Sequence, residues 1–302
     1  MLCQPTIRSL TMLAPAKLNL FLRVVRRRSD GFHDLETVMT AINIFDTLRF
    51  EACESSEISL RVVMASSRNS NSSPTEFIPK DSKNLVVRAA SLLKEYAGAS
   101  MGARITLIKR IPSAAGMGGG SSDAAATLAG LNRFWNLNRD RAELLELAAQ
   151  LGSDIGFFLG GSSTAVCRGR GELVEPLRLP TCLHFVIARP ATGLSTPEVF
   201  KHCRPDDRQR SVDEFVQALR CPGRHHMVRL LLNDLQSPAE ALNGEVRDLK
   251  AQFSTLPVLG HQMSGSGTSY FGVCASLRHA RTIASRLSAS GVPWVHVARS
   301  CC

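Results

Sequence analysis

The chain has 302 residues, enough for one large or two medium domains around a sizeable core. Its 44% hydrophobic content marks a globular protein, and no apolar run approaches the roughly 18 residues of a membrane span. The formal charge of +10 points to anionic partners, without separating nucleotides, nucleic acid and metabolites.

The first twenty residues, MLCQPTIRSLTMLAPAKLNL, are interrupted by Gln4, Arg8, Lys17 and Asn19, which argues against a secretory leader. Residues 13–25 alternate in character and predict a strand, with Lys17 and Asn19 on one face and Leu18, Leu20 and Leu22 on the other. Arg26-Arg27-Arg28 is the densest basic run, short enough to be a solvated turn, and Ser29-Asp30-Gly31 supplies that turn. Strands are expected at 36–50 and 57–64, and the serine-rich 65–83 segment reads as a surface loop. Asn84 to Tyr96 has helical spacing, and Ile105, Leu107 and Lys109 form a strand that runs into a glycine loop. Helices are expected at 122–135 and 139–151, the second ending at Gly152 before a restart at Ser153-Asp154.

A second pattern starts near residue 166: a strand at 182–188, helices at 211–220 and 224–232, a strand at 263–274 and a helix near 277–289. Strands and helices mix without a regular βαβ rhythm, so the fold class is α+β in two lobes, 1–165 and 166–302. The nine cysteines are odd in number and form no Cys-x-x-Cys pair, which favours a reducing, cytoplasmic setting. No His-Glu-x-x-His spacing occurs, and no zinc site is expected.

Chemistry concentrates in IPSAAGMGGGSSDAAATLAGLN, residues 111–132. Glycines let backbone N–H groups approach an anion, and a helix N-terminus adds a positive dipole end. The bland alternative is a capped helix after a flexible turn. No Gly-Lys dipeptide exists, so this is not a P-loop; His-Arg-Asp and Asp-Phe-Gly are absent, and Gly-x-Gly-x-x-Gly does not fit the register.

Pro112–Ala125 resembles the second motif of the GHMP kinases (galactokinase, homoserine kinase, mevalonate kinase, phosphomevalonate kinase). Its Gly-Gly-Gly-Ser-Ser-Asp-Ala-Ala-Ala wording is most similar to the branch acting on 4-diphosphocytidyl-2-C-methyl-D-erythritol. PAKLNLFL (15–22) and DGFHDLET (30–37) resemble that branch's first motif and cytidine-binding segment. LGSDIGFFLGG (151–161) resembles its catalytic-aspartate segment and MSGSGTSYFGVC (263–274) the third motif, all in family order. The resemblance implies a two-lobed GHMP kinase fold: an N-terminal ATP-binding lobe like domain 2 of ribosomal protein S5, and a C-terminal α/β substrate lobe. It further implies ATP- and Mg2+-dependent phosphorylation of the 2-hydroxyl of cytidine diphosphate methylerythritol, in the non-mevalonate isoprenoid pathway. Small molecules, not nucleic acid or membrane, are then the expected partners.

By the same resemblance Asp154 orients or deprotonates the alcohol, Lys17 pairs with it, and Asn19 positions substrate. The nucleotide falls to Pro112, Ala114, Ala115, Gly116, Met117, Gly118, Gly119, Gly120, Ser121 and Ser122, with Asn84 near adenine. Phe32, His33 and Phe200 cradle cytosine, while Gly265 and Gly267 let backbone approach phosphates or substrate. No acidic pair stands out for magnesium; the Ser121 or Ser122 hydroxyl is the candidate, and Asp123 reads as a helix cap. Two positions depart from the pattern: Thr268, where many relatives carry proline or alanine, and Phe32, often tyrosine. Two other readings stay open. A homoserine- or mevalonate-type kinase is disfavoured by Asp30-Gly31-Phe32-His33, and a nucleic-acid-binding protein using Arg26–Arg28 leaves Lys17, Asp154 and the loop unexplained.

Overall fold

The computed structural model describes residues 8–65, 78–205, 210–221 and 223–301, so most of the serine-rich segment lies outside the described residues. A long antiparallel hairpin organises the first lobe: β1 (Ser9–Arg27) and β2 (His33–Glu51) pair from Ser9↔Glu51 to Arg27↔His33. Register shifts at Pro15/Ala16, Asn19/Phe21 and Val24/Arg26 bend and twist this ribbon. β3 (Ile58–Met64), α1 (Leu85–Ala97), β4 (Ala103–Lys109), α2 (Gly119–Phe134), α3 (Arg141–Leu151) and α4 (Ile155–Leu159) follow, then β5 (Thr164–Gly169) and β6 (Leu173–Leu177).

The large sheet has the order β3-β4-β2-β1, and β2 changes partner along its length: residues 47–51 pair with β4, residues 35–40 with β5. Every second residue of β4 (Ala103, Ile105, Leu107, Lys109) is buried, the strand period made visible. Helices α1–α3 cover that face through Val86, Leu93, Leu128, Leu144 and Leu147, packed on Leu48, Phe50 and Ile105. α1 is capped by Asn84 and α3 by an Asp140–Glu143 capping box.

The second lobe contains β7 (His184–Arg189), α5 (Thr196–His202), α6 (Val212–Arg220), α7 (Arg224–Arg229), β8 (Leu232–Asn233), α8 (Gln236–Leu242), α9 (Gly244–Ser254), β9 (Gly260–Met263), β10 (Tyr270–Cys274), α10 (Leu277–Ala289) and β11 (Trp294–Arg299). Its antiparallel sheet runs β11-β7-β10-β9. One core spans both lobes: Leu18, Leu20 and Phe21 of β1 pack with Phe185, Phe215 and Phe271.

The observed architecture is α+β in two lobes. Three expected limits differ. The boundary at 165/166 falls inside β5, whose bonds to β2 carry the first sheet on through β6, and β8 returns to pair with β1. The strand expected over 263–274 is β9 and β10 with a turn between them, because Gly265 (φ 56°) and Gly267 (φ 89°) leave extended backbone. The helix expected over 224–232 stops at Arg229. Among the described residues no helix is long and apolar enough to cross a membrane.

Candidate active site

All of β1 from Ala16 to Leu22 is buried, so Lys17 and Asn19 stand inside the molecule and not on a sheet edge. The Lys17 ammonium, 4% exposed, donates to the Asn19 side-chain oxygen and lies 3.5 Å from Asp154 Oδ2. Asn19 Nδ2 donates to Thr37 Oγ1 at 2.8 Å, and that hydroxyl donates to the Phe21 carbonyl at 2.6 Å. This chain of bonds fixes the amide, and the amide fixes the lysine. Asp154 precedes α4, yet its side chain makes no capping bond. Its carboxylate, 37% exposed, is paired with Lys17 and does not cap the helix.

The glycine loop closes over this pair. Lys17 N–H donates to Met117 O at 3.0 Å, Ser269 N–H donates to Ala115 O at 3.1 Å, and Ser264 Oγ donates to Gly116 O at 3.0 Å. Gly116 has φ 71° and a Cβ there would fall 2.0 Å from Ser264 O, so no other residue fits without moving the turn. Gly265, at φ 56°, is held more by its left-handed backbone than by space: a Cβ there would sit a tight 3.0 Å from Gly116 O. α2 begins after Gly118 (φ 67°) with no side-chain cap, and its first residues, Gly119, Gly120 and Ser121, line the cavity. Sixteen residues of helix stand behind that positive end.

Beneath the loop is a buried charge cluster. Lys109 Nζ donates to Asp46 Oδ2 and, at 2.9 Å, to Asp123 Oδ2. Asp46 also accepts from the backbone N–H groups of Arg110 (2.5 Å) and Ile111 (2.9 Å), pinning the chain where it leaves β4. Burial pushes the Asp123 carboxyl up to about 7, against the pull of Lys109, and Asp46 adds to the rise. Burial alone would lower the Lys109 ammonium, but Asp123 and Asp46 outweigh it and hold the lysine above its ordinary value. Asp123 is therefore not the helix cap expected from sequence; it is a partner of Lys109, with its Oδ1 buried and without a hydrogen-bond partner.

At the far end the β1–β2 turn presents Phe32, 51% exposed, with Asp30 Oδ1 accepting its backbone N–H at 3.1 Å. His33 stacks on Phe200 of α5, ring centroids 5.2 Å apart and 28° between planes. Burial, then the charge of Arg27, holds the His33 imidazolium below its ordinary value, so the ring is neutral at pH 7. The Phe32 ring faces the Arg170 guanidinium, 4.3 Å away.

One cavity of about 850 Å3 joins these parts. Lys17, Asn19, Phe32, His33, Asn84, Pro112, Ala114–Ser121, Asp154, Phe200 and Gly265 all line it. Ser122 and Gly267 do not: the Ser122 hydroxyl is buried behind the first turn of α2, and Gly267 is packed on Met263. Asn84 reaches the cavity but spends its side chain on the fold, accepting from Val86 N–H at 2.9 Å and donating to Pro79 O at 2.6 Å. Thr268 is buried, its hydroxyl donating to Thr192 O at 3.1 Å.

Residues 84–167 match the model of the GHMP kinases N terminal domain and residues 211–292 that of the GHMP kinases C terminal. The 4-diphosphocytidyl-2-C-methyl-D-erythritol kinase of Pelotomaculum thermopropionicum is 40% identical over 92% of this chain and 93% of its own length. The chain belongs to the GHMP kinases, in the branch of the 4-diphosphocytidyl-2-C-methyl-D-erythritol kinases. The Bacillus subtilis member of that branch is also 40% identical, over 86% of each chain. A crystal structure of 4-(cytidine 5'-diphospho)-2C-methyl-D-erythritol kinase superposes with TM-score 0.77 at 35% identity, covering 96% of this chain and 98% of the other. Like its relatives, this GHMP kinase is a small-molecule kinase.

Sequence reasoning missed Asp46, Lys109 and Arg170. Lys109 carried a readable signal: it continues the inward alternation of Ala103, Ile105 and Leu107, where a charge needs a partner. Its partners lie 63 and 14 residues away, and no local pattern ties them together.

Proposed function

We propose that this kinase moves the γ-phosphoryl group of ATP onto the 2-hydroxyl of 4-diphosphocytidyl-2-C-methyl-D-erythritol. The observation that carries the reading is the Lys17–Asp154 pair, placed in one cavity between the uncapped start of α2 and the aromatic end at Phe32, His33 and Phe200. In this reading the triphosphate lies along Gly116–Ser121, where N–H groups and the helix dipole replace water around an anion.

Phosphoryl transfer runs through a loose transition state, so positioning and charge stabilisation dominate. Asp154 accepts a hydrogen bond from the acceptor hydroxyl and turns a lone pair of its oxygen toward the γ-phosphorus. As that O–P bond forms and the bond to the β-phosphate oxygen breaks, the hydroxyl proton passes to Asp154 and ADP leaves. Lys17 faces the charge on the transferred group, held in place by Asn19. His33, being neutral, can both donate to and accept from a cytosine edge.

Magnesium, arriving with ATP, would spread charge over the β- and γ-phosphate oxygens. The residues fit it: Ser121 and Asp123 line the cavity, and Asp123 keeps an oxygen without a partner. Among the described residues no group of three His, Cys, Asp or Glu forms a protein-only cage, so an ion held here would share phosphate oxygens and water with Ser121 and Asp123. ATP is supplied in the cytoplasm, and we place the enzyme there. We assign the nucleotide to the lobe built on the larger sheet and the cytosine to the seam between lobes.

The test is direct. Magnesium-ATP is offered with the cytidylyl substrate, mevalonate and homoserine in parallel, and products are followed by phosphorus NMR. Phosphorylation of the cytidylyl compound alone is expected; turnover of either other alcohol at a comparable rate overturns the reading.

A further inference from the structure

We propose that Arg170 binds the diphosphate that joins cytidine to the acceptor alcohol, reaching it from a seat on the ring of Phe32. This rests on the substrate reading above and adds to it the residue that recognises the linker.

Position is the first argument. Arg170 sits in the β5–β6 turn, between Gly169 (φ 70°) and Gly171 (φ 114°). That turn touches the reacting end of the cavity: a Cβ on Gly171 would lie 3.8 Å from Asp154 Oδ1. The guanidinium reaches the other way, to 4.3 Å from the Phe32 ring centroid. One side chain therefore spans the interval between the carboxylate that meets the hydroxyl and the aromatic end that meets the base. A diphosphate linking base and alcohol must cross the same interval.

Charge is the second. The neighbouring arginines are consumed by carboxylates: Arg168 pairs with Glu175 and Asp213, Arg28 with Asp30 and Asp34, Arg26 with Asp34. Among the described residues no carboxylate makes a direct ion pair with Arg170; its charge is felt by Asp30, which Arg28 already holds, and its Nε is buried without a hydrogen-bond partner. Glu172, two residues on, accepts the backbone N–H of Arg170 at 2.6 Å and makes no ion pair with its guanidinium. Lys17 and Lys109, the buried cations of the cavity, are already engaged. Arg27 and Lys201 also line the cavity, but the turn that carries Arg170 is the one against Asp154.

Chemistry is the third. A guanidinium stacked on an aromatic face keeps its N–H fork in the ring plane direction, free to take two phosphate oxygens at once. A ring contact satisfies none of those donors, so they remain available to an anion in the cavity. Phe32 gains in turn, because the stacked cation holds an exposed ring in place.

The experiment compares cytidine, cytidine monophosphate and cytidine diphosphate by calorimetry on the wild type, Arg170→Ala and Arg170→Lys, with ATP as control. Expected is a loss of about 10- to 100-fold for cytidine diphosphate with Arg170→Ala, the range of one or two charge-assisted hydrogen bonds. Cytidine should weaken no more than a few-fold, ATP should be unchanged, and Arg170→Lys should recover part of the loss. The salt dependence of diphosphate binding should also flatten in Arg170→Ala. Equal weakening of cytidine and its diphosphate overturns the proposal and reduces Arg170 to a prop for Phe32. If the wild type binds neither cytidine nor its diphosphate, the substrate reading itself has failed, and that outcome is separate from any difference between variants.

Discussion

Asp154 and Lys17 are readable in the sequence because each lies in a short, distinctive stretch, and the structure brings them to 3.5 Å. Removing the charge without the shape is the cleanest probe of the pair. Asp154→Asn should lower kcat by at least about 100-fold, the low end of general-base effects. ATP affinity and melting temperature should stay near wild type, since the side chain makes no capping bond for α4 to lose. Stopped assays beside a thermal melt settle it, and near-normal turnover in a folded variant removes Asp154 from the chemistry. The aromatic end was less legible. Sequence analysis expects Phe32, His33 and Phe200 to cradle cytosine, and it could not foresee that His33 stacks on Phe200 while Phe32 faces Arg170. Base stacking is worth roughly 1–3 kcal/mol, so Phe32→Ala should weaken the cytidylyl substrate by about 10- to 100-fold. ATP affinity should be untouched, and equal weakening of both ligands, measured by calorimetry, moves Phe32 out of the base site.

At the scale of elements, the glycines before and within the first turn of α2 separate into two kinds that no sequence pattern distinguishes. Gly116 is demanded by the fold: its Cβ would collide with Ser264 O. Gly120 is not, since a Cβ there meets only Leu85 Cδ1 at an ordinary 3.6 Å. Gly120 nonetheless lines the cavity. Gly120→Ala should therefore hold or raise stability, by at most about 1 kcal/mol of helix propensity, while weakening ATP. Gly116→Ala should destabilise the protein outright. A melt and an ATP titration on both variants check the split, and an unchanged ATP affinity in Gly120→Ala returns that glycine to a structural role. The strand–helix junction also makes a pH prediction. Asp123 titrates near 3.8 when unfolded and is pushed up to about 7 by burial in the fold. Its contribution is complete below the unfolded value and is lost as pH rises through about 7, because the fold must then hold a second buried carboxylate beside Asp46. Melting temperature against pH should fall more steeply across that window in the wild type than in Asp123→Asn. Parallel curves would mean that Asp123 stays ionised throughout.

For the molecule as a whole, the two lobes were expected from the change of pattern near residue 166, but their union was not. Composition cannot reveal that Leu18, Leu20 and Phe21 share a core with Phe185, Phe215 and Phe271, because the contact is made only after both sheets form. Gln262 Nε2 tightens the seam, donating to the carbonyls of Asn19 at 2.8 Å and Leu20 at 3.1 Å. The chain has two tryptophans, Trp135 in the core of the first lobe and Trp294 in the second. In each single-tryptophan variant fluorescence and far-UV circular dichroism should therefore report the same urea midpoint, and disagreement between the two signals would show lobes that unfold independently. The β1–β2 hairpin has a consequence of another sort. It carries Lys17 and Asn19 along its length and Phe32 and His33 at its turn. Both stations belong to one continuous piece of paired backbone, so opening or closing the lobes cannot change the spacing between them. The hairpin is a ruler. A substrate with one phosphate fewer in its linker would seat its base and leave its hydroxyl short of the phosphorus, bound well and barely turned over.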